Sequence, residues 1–161
     1  MAQIIFFVII AIIIFDFCFE RWLEYLNSKR REDKLPSELE GIYNAEKYLQ
    51  QQKYEKTNFR FSLLSSTFSF VLILAMFIFD GFAYTDSFAR QFSENTILIA
   101  IIFFGILMFA SDLLSTPFSL YHTFVIEEKF GFNKTTFKTF FLDKLKGWLL
   151  MAIIGGGLLS L

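Results

Sequence analysis

One cysteine, Cys18, and one histidine, His122, are all this chain of 161 residues has of either type. A lone thiol closes no intramolecular disulfide, and one His with one Cys leaves no Cys/His set of the kind that holds zinc. An excess of charge is missing as well, because 15 Lys and Arg stand against 16 Asp and Glu for a net charge of -1. Without a basic surplus there is no footprint for a phosphate backbone, so nucleic acid is not an expected partner. What is abundant is apolar. Hydrophobic residues make up 55% of the chain and aromatics 20%, which departs from soluble domains and points to the lipid bilayer as solvent.

Three stretches have the length and apolar content of membrane spans, at 4–26, 61–79 and 96–118. The first reaches about 33 Å as a helix, enough to cross the hydrocarbon, and Trp22 and Tyr25 fall where an interfacial aromatic belt belongs. It has neither a basic leading segment nor an A-x-A site, so it reads as an uncleaved anchor. A fourth apolar run, 147–161, is short for a span. Extending it upstream draws Asp143, Lys144 and Lys146 toward the hydrocarbon at about 2.5 to 3.5 kcal/mol each at the centre. The expectation is a chain that stops inside its fourth helix, as a fragment of a longer protein.

Lys and Arg concentrate in 27–60 and in 129–146, while the connection 80–95 holds Arg90 alone. By the positive-inside rule both long loops face the cytoplasm and the amino terminus lies outside or in a lumen. A bacterial inner membrane and an endoplasmic reticulum impose the same pattern. The sequon Asn133-Lys134-Thr135 then faces away from glycosylation. In the first loop, Ser37 to Glu40 forms a capping box that predicts a helix to about Lys56, interfacial or docking in character. In the second, Gly131 marks a turn, Asn133 or Thr135 supplies a cap, and Phe137, Phe140, Phe141, Leu145 and Trp148 recur at helical spacing. That helix is expected along the interface ahead of the fourth span.

The string Thr123-Phe124-Val125-Ile126-Glu127, then Gly131-Phe132-Asn133-Lys134, then Thr136, Phe140 and Asp143, closely resembles the type I CAAX prenyl endopeptidases, which are integral-membrane zinc metallopeptidases. Pro117-Phe118 and Tyr121 fit the same pattern, as do Leu35-Pro36, Glu38-Leu39, Tyr48, Tyr54 and Phe59. The resemblance covers nearly the whole chain as that family's amino-terminal membrane domain. It implies a bundle of helices around a water-filled chamber, with zinc held on later helices by an H-E-x-x-H motif and a downstream Glu. The motif is not present in this chain, where "LYHTF" around His122 offers no second ligand at i+4. No catalytic and no metal-binding residue is therefore expected here, and zinc is expected only in the full-length parent. On this resemblance the charged loop sits near the chamber mouth, with Glu127 and Asn133 fixing its fold.

Asp112, inside the third span, is expensive at that depth and must face the bundle interior or a cavity. Ser111, Ser115 and Thr116 are its nearby hydrogen-bond candidates, and a structural role competes with one in lining the chamber. Asp16 lies nearer the Trp22 belt and is more easily hydrated. Gly155, Gly156 and Gly157 lack the flanking features of a phosphate loop and read as small residues for close helix packing. The resulting expectation is an all-α polytopic membrane helix bundle spanning 1–161, with interfacial helices in two cytoplasmic loops. Its function is that of the membrane domain of a zinc metalloendopeptidase, which processes prenylated or other membrane-associated proteins. Its partners are the bilayer, a carboxyl-terminal protease domain and the substrates. The alternatives are a non-enzymatic membrane scaffold or accessory subunit, which predicts a genuine stop after Leu161, and, more weakly, a small transporter built on Asp112.

Overall fold

In hydrocarbon every backbone amide and carbonyl needs a partner within the chain, which leaves helices as the natural form for these apolar runs. The computed structural model describes residues 1–29 and 44–159, and among them there are helices and no strands. They fall into two compact units, Met1–Leu74 and Ala75–Leu161.

The first unit holds α1 (Ala2–Lys29) and most of α2 (Ala45–Ile78). The two meet through parallel rings, Phe17 on Phe70 at 4.0 Å between centroids. One turn along α1, Arg21 is only 16% exposed and pairs with Glu24 at 2.7 Å, its guanidinium 5.6 Å from the Phe17 ring. Burying that cation is tolerable because the carboxylate is held against it. The α2 helix begins at Asn44, whose Oδ1 accepts from the amides of Glu46 and Lys47 at 2.9 and 3.2 Å. The expected capping box at Ser37 and Glu40 lies outside the described residues, as do Leu35, Pro36, Glu38 and Leu39.

The loop helix foreseen to about Lys56 and the span foreseen from 61 are one rod of 34 residues. No Gly or Pro occurs within it to break the ladder. At 1.5 Å per residue it reaches about 51 Å, well beyond a hydrocarbon core of about 30 Å, so its polar first half extends past the apolar slab.

In the second unit, α2 gives way to a left-handed turn at Asp80 (φ 55°) and a short helix, α3 (Gly81–Ala89), in the connection between the second and third spans. Gly81 lies close to Met76, since a Cβ there would fall 2.5 Å from its Sδ and 3.2 Å from its Cα. At the end of α3, Arg90 pairs with Asp86 at 2.7 Å, which raises the guanidinium pKa through hydrogen bond and charge. Asn95 then caps α4 (Thr96–Tyr121), accepting from the amides of Ile97 and Leu98 at 2.8 and 3.3 Å.

The third span does not stop at 118. Its backbone passes through Pro117, widens into a π-helical turn (His122–Glu127), and closes with the single turn α5 (Glu128–Phe130). After Gly131 (φ 77°) the chain enters α6 (Phe137–Leu159), an unbroken helix in which the expected interfacial segment and fourth span are continuous. Thr136, rather than Asn133 or Thr135, caps it, its Oγ1 accepting from the Thr139 amide at 3.2 Å.

Among the described residues, three helical segments are long and apolar enough to cross a membrane: Gln3–Lys29, Ala45–Ile78 and Thr96–Phe130. Buried hydrophobic side chains are few there, namely Ala89, Ile99 and Ile126. Large apolar side chains instead point outward all along α1, α4 and α6. A water-soluble fold hides such surface, so this outward distribution suits a lipid surround.

Candidate functional site

Two groups of polar side chains in the second unit include the residues marked from sequence. The first is the turn after the π-helical segment. The Glu127 carbonyl accepts from the Phe132 amide at 2.9 Å and the Asn133 amide at 3.3 Å, which folds the chain back on itself. Gly131 supplies the positive φ that the reversal needs, and its amide donates to the Glu128 carbonyl at 3.1 Å. Asn133 ties the turn twice: Nδ2 donates to Glu128 Oε2 at 2.9 Å, and Oδ1 accepts from the Thr135 amide at 2.7 Å. Asn133 thus works through its side chain, whereas Glu127 closes the turn through its backbone.

The Glu127 carboxylate lies 3.7 Å from His122 Nδ1 at the other end of the π-helical turn. An i, i+5 relation brings the two onto one side of a π turn, which an ordinary α turn does not do. Phe124, between them, stacks on Phe137 at 3.9 Å and meets the edge of Phe140 at 5.8 Å, fixing the π turn to the start of α6. Phe132 is half exposed, and Asp143 is solvent-facing and pairs with Lys146 on its own helix at 3.3 Å.

The second place lies between α4 and α6. Asp112 Oδ1 accepts from Lys144 Nζ at 2.7 Å, and Oδ2 accepts from Trp148 Nε1 at 2.9 Å. Lys144 and Trp148 stand one helical turn apart, so both reach a single carboxylate from one face of α6. The Trp148 ring also meets the edge of Phe109, at 4.9 Å. The expected local partners act elsewhere. Ser115 Oγ and Thr116 Oγ1 donate to the backbone carbonyl of Asp112, at 3.0 and 2.6 Å, and leave its carboxylate to α6.

Beside this clamp runs a largely apolar groove of about 390 Å³, with Phe104 and Met108 on one wall and Met151 on the other. Gly105, Gly147, Gly155 and Gly156 also line it, and a Cβ at any of them would meet no atom within 4 Å. Among the described residues, no neighbour packs closely on Gly155, Gly156 or Gly157, in contrast to the close packing expected of them.

The structure joins Glu127, Gly131 and Asn133 in one turn and sets Thr136 at the head of α6. Asp112 stands apart from that turn and connects to it along α6, through Lys144 next to Asp143. Lys144, Trp148 and His122 stand in the sequence as a costly charge, an aromatic of the interfacial helix and a lone histidine, and none of them is marked there as a site residue. A Lys and a Trp at i, i+4, opposite an acid in a neighbouring span, was the available signal. Among the described residues no group of three or more His, Cys, Asp or Glu side chains is placed to hold a metal ion, so the zinc of the resembled family has no fitting ligand set here.

Long apolar helices with outward-facing side chains and an ion pair set against an apolar groove define a multi-pass helical membrane protein. Comparison with known proteins sharpens that class. The family described as "CAAX prenyl protease N-terminal, five membrane helices" matches residues 24–161, and the chain belongs to it. The probable CAAX prenyl protease 1 of Schizosaccharomyces pombe is 34% identical over 142 residues, covering 77% of this chain and 30% of the relative. CAAX prenyl protease 1 of Saccharomyces cerevisiae is 31% identical over 157 residues, covering 91% and 35%. The crystal structure of S. mikatae Ste24p superposes with a TM-score of 0.83 at 32% identity, over 93% of this chain and 36% of that one. The chain thus spans about a third of the length of the relatives it matches.

Proposed function

We propose that this chain serves as the membrane domain of a zinc metalloendopeptidase that processes prenylated or otherwise membrane-associated proteins. The catalytic zinc site is assigned to the protease domain that the resembled family carries, a reading supported by the single His and the lack of an H-E-x-x-H string in this sequence. The observation that carries the reading is the closed turn from His122 to Thr136. It holds the most specific part of the family motif in one hydrogen-bonded arrangement at the end of a membrane-length helix.

In this role α4 and α6 contribute chamber wall, and the charged turn shapes the cytoplasmic route by which a substrate's carboxyl-terminal segment arrives. The positive-inside distribution supports a cytoplasmic turn and an amino terminus outside or in the lumen. The residues of this chain orient and admit substrate in this reading and carry no bond-breaking step.

The test uses a full-length protease that contains this sequence. Replacing Glu127 by Ala removes the side chain facing His122 while keeping the backbone carbonyl that closes the turn. Turnover of a prenylated peptide should fall roughly tenfold or more, the scale expected when substrate positioning is disturbed, with zinc content unchanged. Unaltered turnover removes the turn from the substrate route. Zinc-dependent peptide hydrolysis by the 161-residue chain alone would overturn the division of labour.

A further inference from the structure

We propose that Asp112 is the residue that holds the charged first half of α6 within the membrane, so that the fourth helix crosses as a span only when paired with α4. The reasoning begins with the charges of α6. Asp143 and Lys146 stand 60% and 69% exposed and pair with each other at 3.3 Å, so each offsets the other's charge on its own helix. Lys144 differs. Its side chain is 16% exposed, its ammonium lies 2.7 Å from Asp112 Oδ1, and it borders the apolar groove.

Hydropathy alone starts the fourth span after these charges, whereas α6 is already a formed helix seven residues before Lys144. A lysine in a spanning segment needs either reach to the interface or a counter-charge at its own depth. Here it has the counter-charge. Trp148 takes the second carboxylate oxygen at 2.9 Å, so each oxygen of Asp112 has a donor from α6. The bidentate arrangement fixes rotation as well as depth, because Lys144 and Trp148 reach Asp112 together only with one face of α6 turned to α4.

The facing stripes agree with that register. Positions 101, 104, 105, 108, 109 and 112 of α4 and positions 144, 147, 148, 151, 152, 155 and 156 of α6 line the same groove, each at the three-and-four spacing of one helical face. Among the described residues the glycines of the groove make no close backbone contact. Phe124 on Phe137 and Phe140 fixes the start of α6, and along the shared stripe the polar clamp and the Phe109–Trp148 edge contact set its register against α4.

The test follows α6 with a cysteine reporter. In full-length chain carrying Cys18→Ser and Leu145→Cys, labelling by a membrane-impermeant maleimide is measured in sealed vesicles of each orientation. Asp112→Ala strands the Lys144 ammonium, so α6 should slide toward water and the labelling rate from the adjoining face rise about tenfold or more. Asp112→Ala with Lys144→Met removes both charges and should restore native labelling. The exchanged pair Asp112→Lys with Lys144→Asp should restore it in part. Labelling unchanged by Asp112→Ala overturns the proposal, and so does a double variant that labels as fast as the single one. If Asp112→Ala does not accumulate in the membrane, the double variant decides: recovery to native amounts supports the proposal, and continued loss overturns it.

Discussion

At the scale of single residues, the turn after α4 shows how a few side chains define a loop. Gly131 sits at φ 77°, where any residue with a Cβ is strained, although a Cβ there meets no neighbouring atom. The penalty for Gly131→Ala is therefore conformational and should be about 1 kcal/mol, read as a lower thermal midpoint in detergent, with Gly131→Asn losing less. Thr136 gives a separate check. Removing its hydroxyl in Thr136→Ala leaves the Thr139 amide without a cap and should cost about 1 kcal/mol, while Thr136→Ser should retain most of the stability. The turn itself was legible, since Gly131 and Asn133 announce one. The identity of the cap was not, because Asn133, Thr135 and Thr136 are all competent and only the path of the backbone selects among them.

At the scale of elements, helix continuity was the least legible property. The polar beginning of α2 and its apolar end read as two helices because hydropathy changes sharply between them. Backbone hydrogen bonding does not register that change, and with no Gly or Pro between Ala45 and Ile78 the ladder continues. A proline at Lys56, near the expected break, should therefore disrupt a single rod at a cost of about 3 kcal/mol or more. Spin labels at Gln50 and Ser62 would then report a broad distance distribution in place of one narrow peak; an equally narrow distribution would show that the rod tolerates a break there. The π-helical turn was invisible in sequence for a related reason. Its extra residue per turn is stabilised by tertiary contacts, Phe124 on Phe137 and Phe140, rather than by propensity.

At the scale of the whole molecule, apolar surface dominates, and few large side chains are hidden within the described residues. Removal of the lipid surround should therefore aggregate the protein, and extraction should need detergent. Alkaline carbonate, which strips proteins held only by charge, should leave it in the membrane pellet; release into the supernatant would contradict a multi-pass arrangement.

Composition and hydropathy were sufficient for the class of fold, because bilayer thickness converts directly into a run of apolar residues. The ordered string from Thr123 to Asp143 was sufficient for the family, since so specific a sequence of turn, cap and aromatic residues has little reason to recur by chance. What the sequence left open was the pairing between helices. Read along the chain, Asp112 is a costly charge inside an apolar run and Lys144 one just ahead of another, and 32 residues separate them. Tertiary structure turned two separate penalties into one clamp, because the energy of a charge in a membrane depends on what stands beside it, and only the packing of α6 against α4 supplies that neighbour.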